Sequence, residues 1–87
     1  MVEVVYNARF LKLARKLPKA QTKKLAKLLE KFQIDPFYPT LHTKPLSGQL
    51  IGFYSFRITR DWRVIFQFLS TDKIQLVKIG HRRDIYK

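Results

Sequence analysis

Five side chains in the second half of the chain are of types that can act on a phosphodiester: Arg57, Arg63, His81, Arg82 and Tyr86. A guanidinium group pairs with phosphate oxygens through a planar fork of donors and keeps its positive charge. A histidine exchanges a proton readily near neutral pH, and a tyrosine can stack on a base or relay a proton. Cutting RNA through its own 2′-hydroxyl needs these services, because the hydroxyl must lose a proton, phosphorus gains negative charge and the leaving oxygen must be protonated.

The overall charge favours a polyanionic partner. Eighteen lysines and arginines against six aspartates and glutamates give a formal net charge of +12, and at this density nucleic acid is the first candidate. A solvated basic surface without a target, or an acidic protein partner, would be compatible with the same charge. Lysines such as Lys23 and Lys27 could therefore either be solvated or contact an RNA backbone, which would position RNA without selecting its sequence.

The elements that position the two arginines are predicted by alternating apolar residues. The stretches 53–58 and 62–68 alternate with the period of strands that bury one face. A three-residue loop, Thr59 to Asp61, puts Ile58 opposite Trp62 on the buried face. The same register puts Arg57 directly opposite Arg63 on the other face, where two like charges repel unless an anion lies between or over them.

The remaining elements complete an α+β domain. Residues 2–6 are typical of a strand, Asn7 is a suitable N-cap for a helix that Pro18 ends or kinks, and a second helix runs from Lys19 to about Phe32. A further strand covers residues 74–79, although both of its alternating sets contain apolar residues and its buried face stays open. We expect a helical hairpin packed on one face of a small, antiparallel-rich twisted sheet in the order β-α-α-β-β-β, forming one domain over residues 1–87. The other sheet face would be left uncovered as a shallow basic groove.

Residues 35–50 are the least regular part of the chain. Three prolines and a Ser-Gly pair prevent long elements there and predict an ordered loop. Its aromatic residues and leucines should pack against the core, while His42 and Lys44 are free to reach outward. A histidine in such a loop is more often a surface or bracing residue than a catalyst.

Composition disfavours several other classes of protein. The chain has no cysteine and two histidines, so disulfides are excluded and a zinc site with several ligands is not expected. No segment is long and apolar enough to span a bilayer, and the N-terminus lacks the pattern of a signal peptide. We therefore expect a cytoplasmic protein with no membrane partner, no metal and no cofactor.

The sequence resembles the RelE/ParE superfamily of bacterial toxins, and in particular the RelE, YoeB and YafQ-like mRNA interferases. The resemblance is carried by L-S-G-x-L-x-G-F-Y-S-F-R-I-T-R-D-W-R-V-I-F at residues 46–66 and by I-G-H-R-R-D-I-Y at residues 79–86. It implies a toxin of a type II toxin-antitoxin system that enters the ribosome, cleaves mRNA without a metal and is silenced by a cognate acidic antitoxin.

The resemblance also implies roles for individual residues. Arg63 matches the arginine that contacts the scissile phosphate, Arg82 matches a basic or histidine position near the leaving group, and Tyr86 matches an aromatic residue that stacks on a nucleotide or assists proton transfer. Arg57 lies where members place a lysine or histidine. The catalytic candidates are Arg63, His81, Arg82, Tyr86 and Arg57. Candidates for RNA binding are Lys44, which falls near a histidine of YafQ-like members, Asp61, which with Trp62 matches an Asp-Trp pair, and Arg60, Arg83, Lys23 and Lys27.

Two departures from the family pattern leave the general base open. Ser55 occupies a position where RelE has a lysine, and the glutamate base of YoeB-like members has no evident counterpart. His81, Tyr86 or a basic residue in its neutral form could serve. Two other functions also stay open: a ParE-like toxin that poisons DNA gyrase without cutting RNA, and a non-catalytic RNA-binding module.

Overall fold

Two helices pack on one face of a five-stranded mixed sheet in the computed structural model, which describes residues 1–86. The elements are β1 (Glu3–Tyr6), α1 (Ala8–Ala14), α2 (Lys19–Ile34), β2 (Lys44–Pro45), β3 (Tyr54–Arg57), β4 (Trp62–Ser70) and β5 (Lys73–His81). The strand order across the sheet is β1-β5-β4-β3-β2, with β1 parallel to β5 and the other neighbours antiparallel. This arrangement confirms the predicted α+β class.

The helices begin and end where local chemistry allows. The Asn7 side chain accepts a hydrogen bond from the Phe10 amide at 2.7 Å and so caps α1 as predicted. The helix ends at Ala14, before Pro18, because the chain then closes into a tighter turn in which the amides of Lys16 and Leu17 donate to carbonyls three residues back. From α2, Phe32 packs against Phe56 and Phe66 with ring centroids 5.0 and 4.9 Å apart, which fixes the helical layer on the sheet.

The hairpin of β3 and β4 has the predicted register. Phe56 pairs with Val64, Arg57 pairs with Arg63, and the Ile58 amide donates to the Trp62 carbonyl at 2.8 Å. The Thr59 hydroxyl accepts from the amides of Asp61 and Trp62, which stabilises the three-residue loop. Because Phe56 and Val64 are in the core under the helices, Arg57 and Arg63 lie on the opposite face.

A β-bulge explains why the buried face of β5 was ambiguous in the sequence. Ile65 pairs with Lys78 but Phe66 pairs with Leu76, so Val77 is an extra residue on β5. The bulge shifts the alternation by one residue, and the strand buries Ile74 and Leu76 before it and Ile79 after it.

The segment 35–50 contains more regular structure than predicted. Lys44–Pro45 forms a short edge strand on β3, and Pro39–Leu41 and Gly48–Leu50 are 3₁₀ turns. Leu41 is fully buried as expected, whereas the Phe37 ring is half-exposed and stacks on Phe68 at the sheet surface. Pro45 is tolerated in β2 because an edge strand leaves one side of its backbone unpaired.

The face away from the helices is only partly open, which differs from the uncovered face that we predicted. Ile85 is buried beneath the C-terminal turn, and Ile65 on the same face is buried as well. The turn is closed by amides of Asp84 and Ile85 that donate to the His81 carbonyl. Gly80 faces the turn, and an added Cβ there would lie at an ordinary contact distance of 3.8 Å from the Ile85 Cβ.

Within residues 1–86, no helix has both the length and the apolar character needed to cross a membrane.

Candidate active site

Arg57 and Arg63 form the centre of the site. They are direct partners on adjacent antiparallel strands, so both side chains rise from the same face of the sheet. The Nε atom of Arg63 is buried and has no hydrogen-bond partner among the described residues. One of its terminal nitrogens donates only a long bond, 3.5 Å, to the Arg60 carbonyl. A buried Nε donor without a partner, on a guanidinium that is itself partly exposed, is a position where an acceptor from a ligand would be stabilising.

The two arginines line a cleft of about 470 Å³ at the end of the sheet. We call this the arginine cleft. Its lining residues are Lys24, Thr40, His42, Arg57, Ile58, Thr59, Arg60, Arg63 and Arg82. The lining contains four arginines and a lysine but no carboxylate, so the cleft is suited to an anion such as a phosphodiester.

Arg82 is held in the cleft by the hairpin loop. Its Nε lies 3.3 Å from a carboxylate oxygen of Asp61, and its backbone amide donates to the Asp61 carbonyl at 2.7 Å. Both side chains are about half-exposed, so the ion pair itself adds little stability. Its effect is on geometry, because Asp61 ties the C-terminal segment to the loop between Arg57 and Arg63. The structure thus makes Asp61 a partner of Arg82.

Tyr86 lies beside Arg63 but does not line the arginine cleft. Its hydroxyl donates to the Ser55 hydroxyl at 3.3 Å, and Ser55 is the buried polar side chain of the described core. Burial raises the pKa of Tyr86, but hydrogen bonds involving Ser55 and Arg63 and the positive charges of Arg63 and Lys44 outweigh it, and the pKa falls below the ordinary value of 10.0. A tyrosine with a lowered pKa beside an anion site is a candidate for proton transfer.

Lys44 joins Tyr86 in a second, more apolar depression on the same face. Lys44 pairs with Ser55 across β2 and β3. The depression has a volume of about 630 Å³, and we call it the sheet groove. Its floor and rim are Arg9, Lys44, Leu46, Ser47, Gln49, Leu50, Phe53, Ile65, Val77, Lys78, Ile85 and Tyr86.

His81 is not brought together with the arginines. It pairs with Trp62 across β4 and β5, and the two rings are in edge contact with centroids 5.5 Å apart. Trp62 packs against the core under the helices, whereas Gly80, the neighbour of His81, is the residue opposite Arg63. Successive residues of a strand point to opposite faces, so His81 lies on the far side of the sheet from Arg57 and Arg63.

The remaining predicted RNA-binding residues divide into two groups. Arg60 lines the arginine cleft and Lys44 lines the sheet groove. Lys23 and Lys27 are exposed on α2, and Arg83 is exposed after β5, and these three side chains line neither depression.

Three residues of the site were not predicted to belong to it. Lys24 on α2 and His42 line the arginine cleft, and Ser55 holds Tyr86. The lysine was one of several on an outer helix face, and no local pattern distinguished it. The link from Ser55 to Tyr86 joins residues 31 positions apart, a contact that only the folded sheet creates.

A family model matches most of the chain. The model for the YoeB-like toxin of bacterial type II toxin-antitoxin system matches residues 11–83. No curated protein sequence matches the chain.

Solved structures support the same fold. The chain resembles a YoeB/ParE toxin from Agrobacterium tumefaciens, with a TM-score of 0.77, 18% identity and coverage of 93% of this chain and 99% of that chain. It also resembles an archaeal RelE-RelB complex from Pyrococcus horikoshii, with a TM-score of 0.77, 22% identity and coverage of 95% and 97%. The third is YafQ from Escherichia coli, with a TM-score of 0.67, 22% identity and coverage of 95% and 96%. These likenesses and the family match confirm the resemblance noted in the sequence, and the chain belongs to the YoeB-like toxins of bacterial type II toxin-antitoxin systems.

Proposed function

We propose that this toxin is a ribosome-dependent mRNA endonuclease that uses the 2′-hydroxyl of its substrate as the nucleophile. The observation that carries the proposal is the pairing of Arg57 with Arg63, with an unpartnered buried donor on Arg63, beside a tyrosine of lowered pKa. Two cations held side by side repel each other unless an anion binds, and the phosphate of an RNA backbone is such an anion.

The two arginines would bind the scissile phosphate through its non-bridging oxygens. Their fixed charge would stabilise the negative charge that builds up as the 2′-oxygen adds to phosphorus, which is the larger part of the catalysis. Arg82, oriented by Asp61, would hold the backbone on the leaving-group side.

Tyr86 would act as the general acid. At neutral pH a phenol is protonated, and a pKa lowered by Ser55, Arg63 and Lys44 makes its proton easier to transfer to the departing 5′-oxygen. The interaction of Tyr86 with Arg63 would place the Tyr86 hydroxyl at one side of a phosphate bound to Arg63.

The proposed reaction uses no metal. The lining of the arginine cleft is cationic, which disfavours a bound metal ion, and its arginines would take over the charge stabilisation that a metal would provide. Among the described residues, no group of three or more metal-binding side chains is clustered.

The ribosome and mRNA are the proposed partners in the reaction. The net charge of +12 supports association with ribosomal and messenger RNA. A cognate antitoxin is the third proposed partner, and it should be acidic. An acidic segment with apolar side chains that folds on binding would match the sheet groove, whose apolar floor includes Ile65 and Leu50 and whose basic groups include Arg9, Lys44 and Lys78. Solved relatives include a YoeB-YefM complex from Staphylococcus aureus and a DinJ-YafQ complex from E. coli.

The proposal is tested by supplying purified toxin to ribosomes programmed with a defined mRNA and mapping the new 5′ ends. We expect cuts that require the ribosome, with 2′,3′-cyclic phosphate on the upstream product. A parallel assay with DNA gyrase and supercoiled plasmid provides the alternative outcome. Uncut message together with gyrase-dependent DNA breaks would overturn the proposal in favour of a gyrase poison.

A further inference from the structure

We propose that His42 is the general base that removes the proton from the attacking 2′-hydroxyl. This inference rests on the proposed endonuclease function. It names the group that the family pattern leaves open in this chain, where no counterpart of the glutamate base is present and Ser55 stands in place of a lysine.

His42 belongs to the arginine cleft by position. His42 lies two residues before Lys44, the β2 residue that pairs with Ser55, and Arg57 lies two residues after Ser55 on β3. Arg57 in turn pairs with Arg63 on β4. His42, Arg57 and Arg63 all line the arginine cleft.

The backbone at His42 supports a functional role. His42 has φ of 51° and ψ of 44°, the left-handed region, and is the described non-glycine residue with positive φ. Its amide donates to the Pro39 carbonyl at 3.2 Å, so the conformation is fixed by the 3₁₀ turn before it. Residues held in this region cluster at active and ligand-binding sites, because the surrounding structure must stabilise them there.

The chemistry of the cleft singles out the same residue. The charged groups that face His42 are Lys24 on α2, Arg57 on β3, Arg60 in the hairpin loop, Arg63 on β4 and Arg82 after β5. Lysine and arginine side chains are cations and poor proton acceptors, whereas an imidazole side chain can accept a proton. His81 lies on the other face of the sheet. Tyr86 is already the proposed general acid that protonates the leaving 5′-oxygen.

With His42 as the proton acceptor, every proton and bond of the cleavage step is accounted for. The imidazole of His42 takes the 2′-hydroxyl proton, the 2′-oxygen forms a bond to phosphorus, and the bond from phosphorus to the 5′-oxygen breaks. The 5′-oxygen takes the proton of Tyr86, which leaves a 2′,3′-cyclic phosphate, a 5′-hydroxyl, an imidazolium and a phenolate. Solvent returns a proton to Tyr86 and removes one from His42.

The first test replaces the imidazole without disturbing the backbone. His42→Gly relieves the positive φ and should fold, which thermal unfolding checks. We expect single-turnover cleavage on programmed ribosomes to slow by about 100-fold or more, to lose its dependence on pH at the acidic side and to recover when free imidazole is added. A rate within about 3-fold of the wild type, or loss of the acidic limb in His81→Gly instead, would overturn the assignment while the proposed function stands. Failure of the wild type to cut would overturn both.

The second test separates the base from the acid. A message whose scissile 5′-oxygen is replaced by sulfur has a leaving group that needs no proton. We expect this substrate to restore cleavage by Tyr86→Phe but not by His42→Gly. Recovery of His42→Gly on the sulfur substrate would place His42 on the leaving-group side and contradict the proposal.

Discussion

The pairing of Arg57 and Arg63 sets stability against function. Like charges placed opposite each other on antiparallel strands destabilise the sheet by roughly 0.2–1 kcal/mol. Among the described residues neither arginine of the pair is in a salt bridge, and the carboxylate of the hairpin loop, Asp61, contacts Arg82 instead. The pair therefore destabilises the free protein, and an anion bound by both guanidinium groups would offset this repulsion.

Arg57→Gln should therefore raise stability slightly while it abolishes most activity. We expect the free energy of unfolding to rise by about 0.5 kcal/mol, because one of the two opposed charges is removed. Cleavage of ribosome-bound message should slow by about 100-fold, because the variant loses stabilisation of the charge on phosphorus. Urea unfolding and single-turnover cleavage measure the two effects.

Arg15→Gln is the matched control for that experiment. It removes the same charge from an exposed position after α1 that lines neither the arginine cleft nor the sheet groove. Its cleavage rate should stay within about 2-fold of the wild type, as for most surface substitutions. An equal loss of activity in both variants would mean that net charge, and not the arginine pair, carries the function.

Ser55 should lower the pKa of Tyr86, the proposed general acid. If protonated Tyr86 donates to the leaving group, the cleavage rate falls as the pH rises through the pKa of Tyr86, which lies below 10.0. Ser55→Ala leaves the effect of burial, which raises this pKa, and removes the hydrogen bond that lowers it. The fall in rate should then move to higher pH, as should the ultraviolet titration of the phenol. Ser55→Thr, which keeps the hydroxyl, should restore the wild-type profile, whereas an unchanged profile in Ser55→Ala would contradict the coupling.

At the level of elements, the C-terminal turn acts as a clamp on the open face of the sheet. Ile85 is buried against Gly80 and the Ile65 face, and this anchors the residues on both sides of it, Arg82 and Tyr86. The site therefore depends on packing that is remote from the phosphate.

Ile85→Ala should loosen this clamp. We expect a loss of about 2 kcal/mol in unfolding free energy, near the low end for a buried isoleucine because the turn can partly collapse. The cleavage rate should also fall, since Tyr86 loses its fixed position. Gly80→Ala is the control, because its new Cβ would meet Ile85 at an ordinary contact distance of 3.8 Å. A stable, fully active Ile85→Ala protein would show that the clamp is not needed.

The same elements show what the sequence could and could not predict. The pairing of Arg57 with Arg63 followed from alternation and an odd loop length, both of which are local. The position of His81 depended on the register of β5, and the bulge at Val77 shifts the alternation of that strand. The edge strand Lys44–Pro45 was too short to leave a pattern of its own, so the sequence did not show that His42 lines the same cleft as Arg57.

At the level of the whole molecule, RNA could be bound by the general charge of +12 or by the arginine cleft. The salt dependence of RNA binding distinguishes these two contributions. The RNA for this measurement is single-stranded and carries a 2′-deoxynucleotide at the cut site. The logarithm of its association constant should fall with log[salt], with a slope of about 0.7 per phosphate contact. Arg57→Gln should reduce this slope by about 0.7, whereas Lys23→Gln, whose side chain is outside the cleft, should leave it unchanged. An equal reduction by Lys23→Gln would favour an RNA-binding module that uses the α2 lysines.

The most direct measurement follows the guanidinium groups themselves. In a protein labelled with ¹⁵N at arginine, the Nε–H signals of Arg57 and Arg63 can be observed by nuclear magnetic resonance while the 2′-deoxy RNA is added. We predict that both signals shift together and saturate at one RNA concentration, with the larger change at Arg63, whose Nε is buried without a partner among the described residues. Signals from these two arginines that move no more than that of Arg15 would contradict the account.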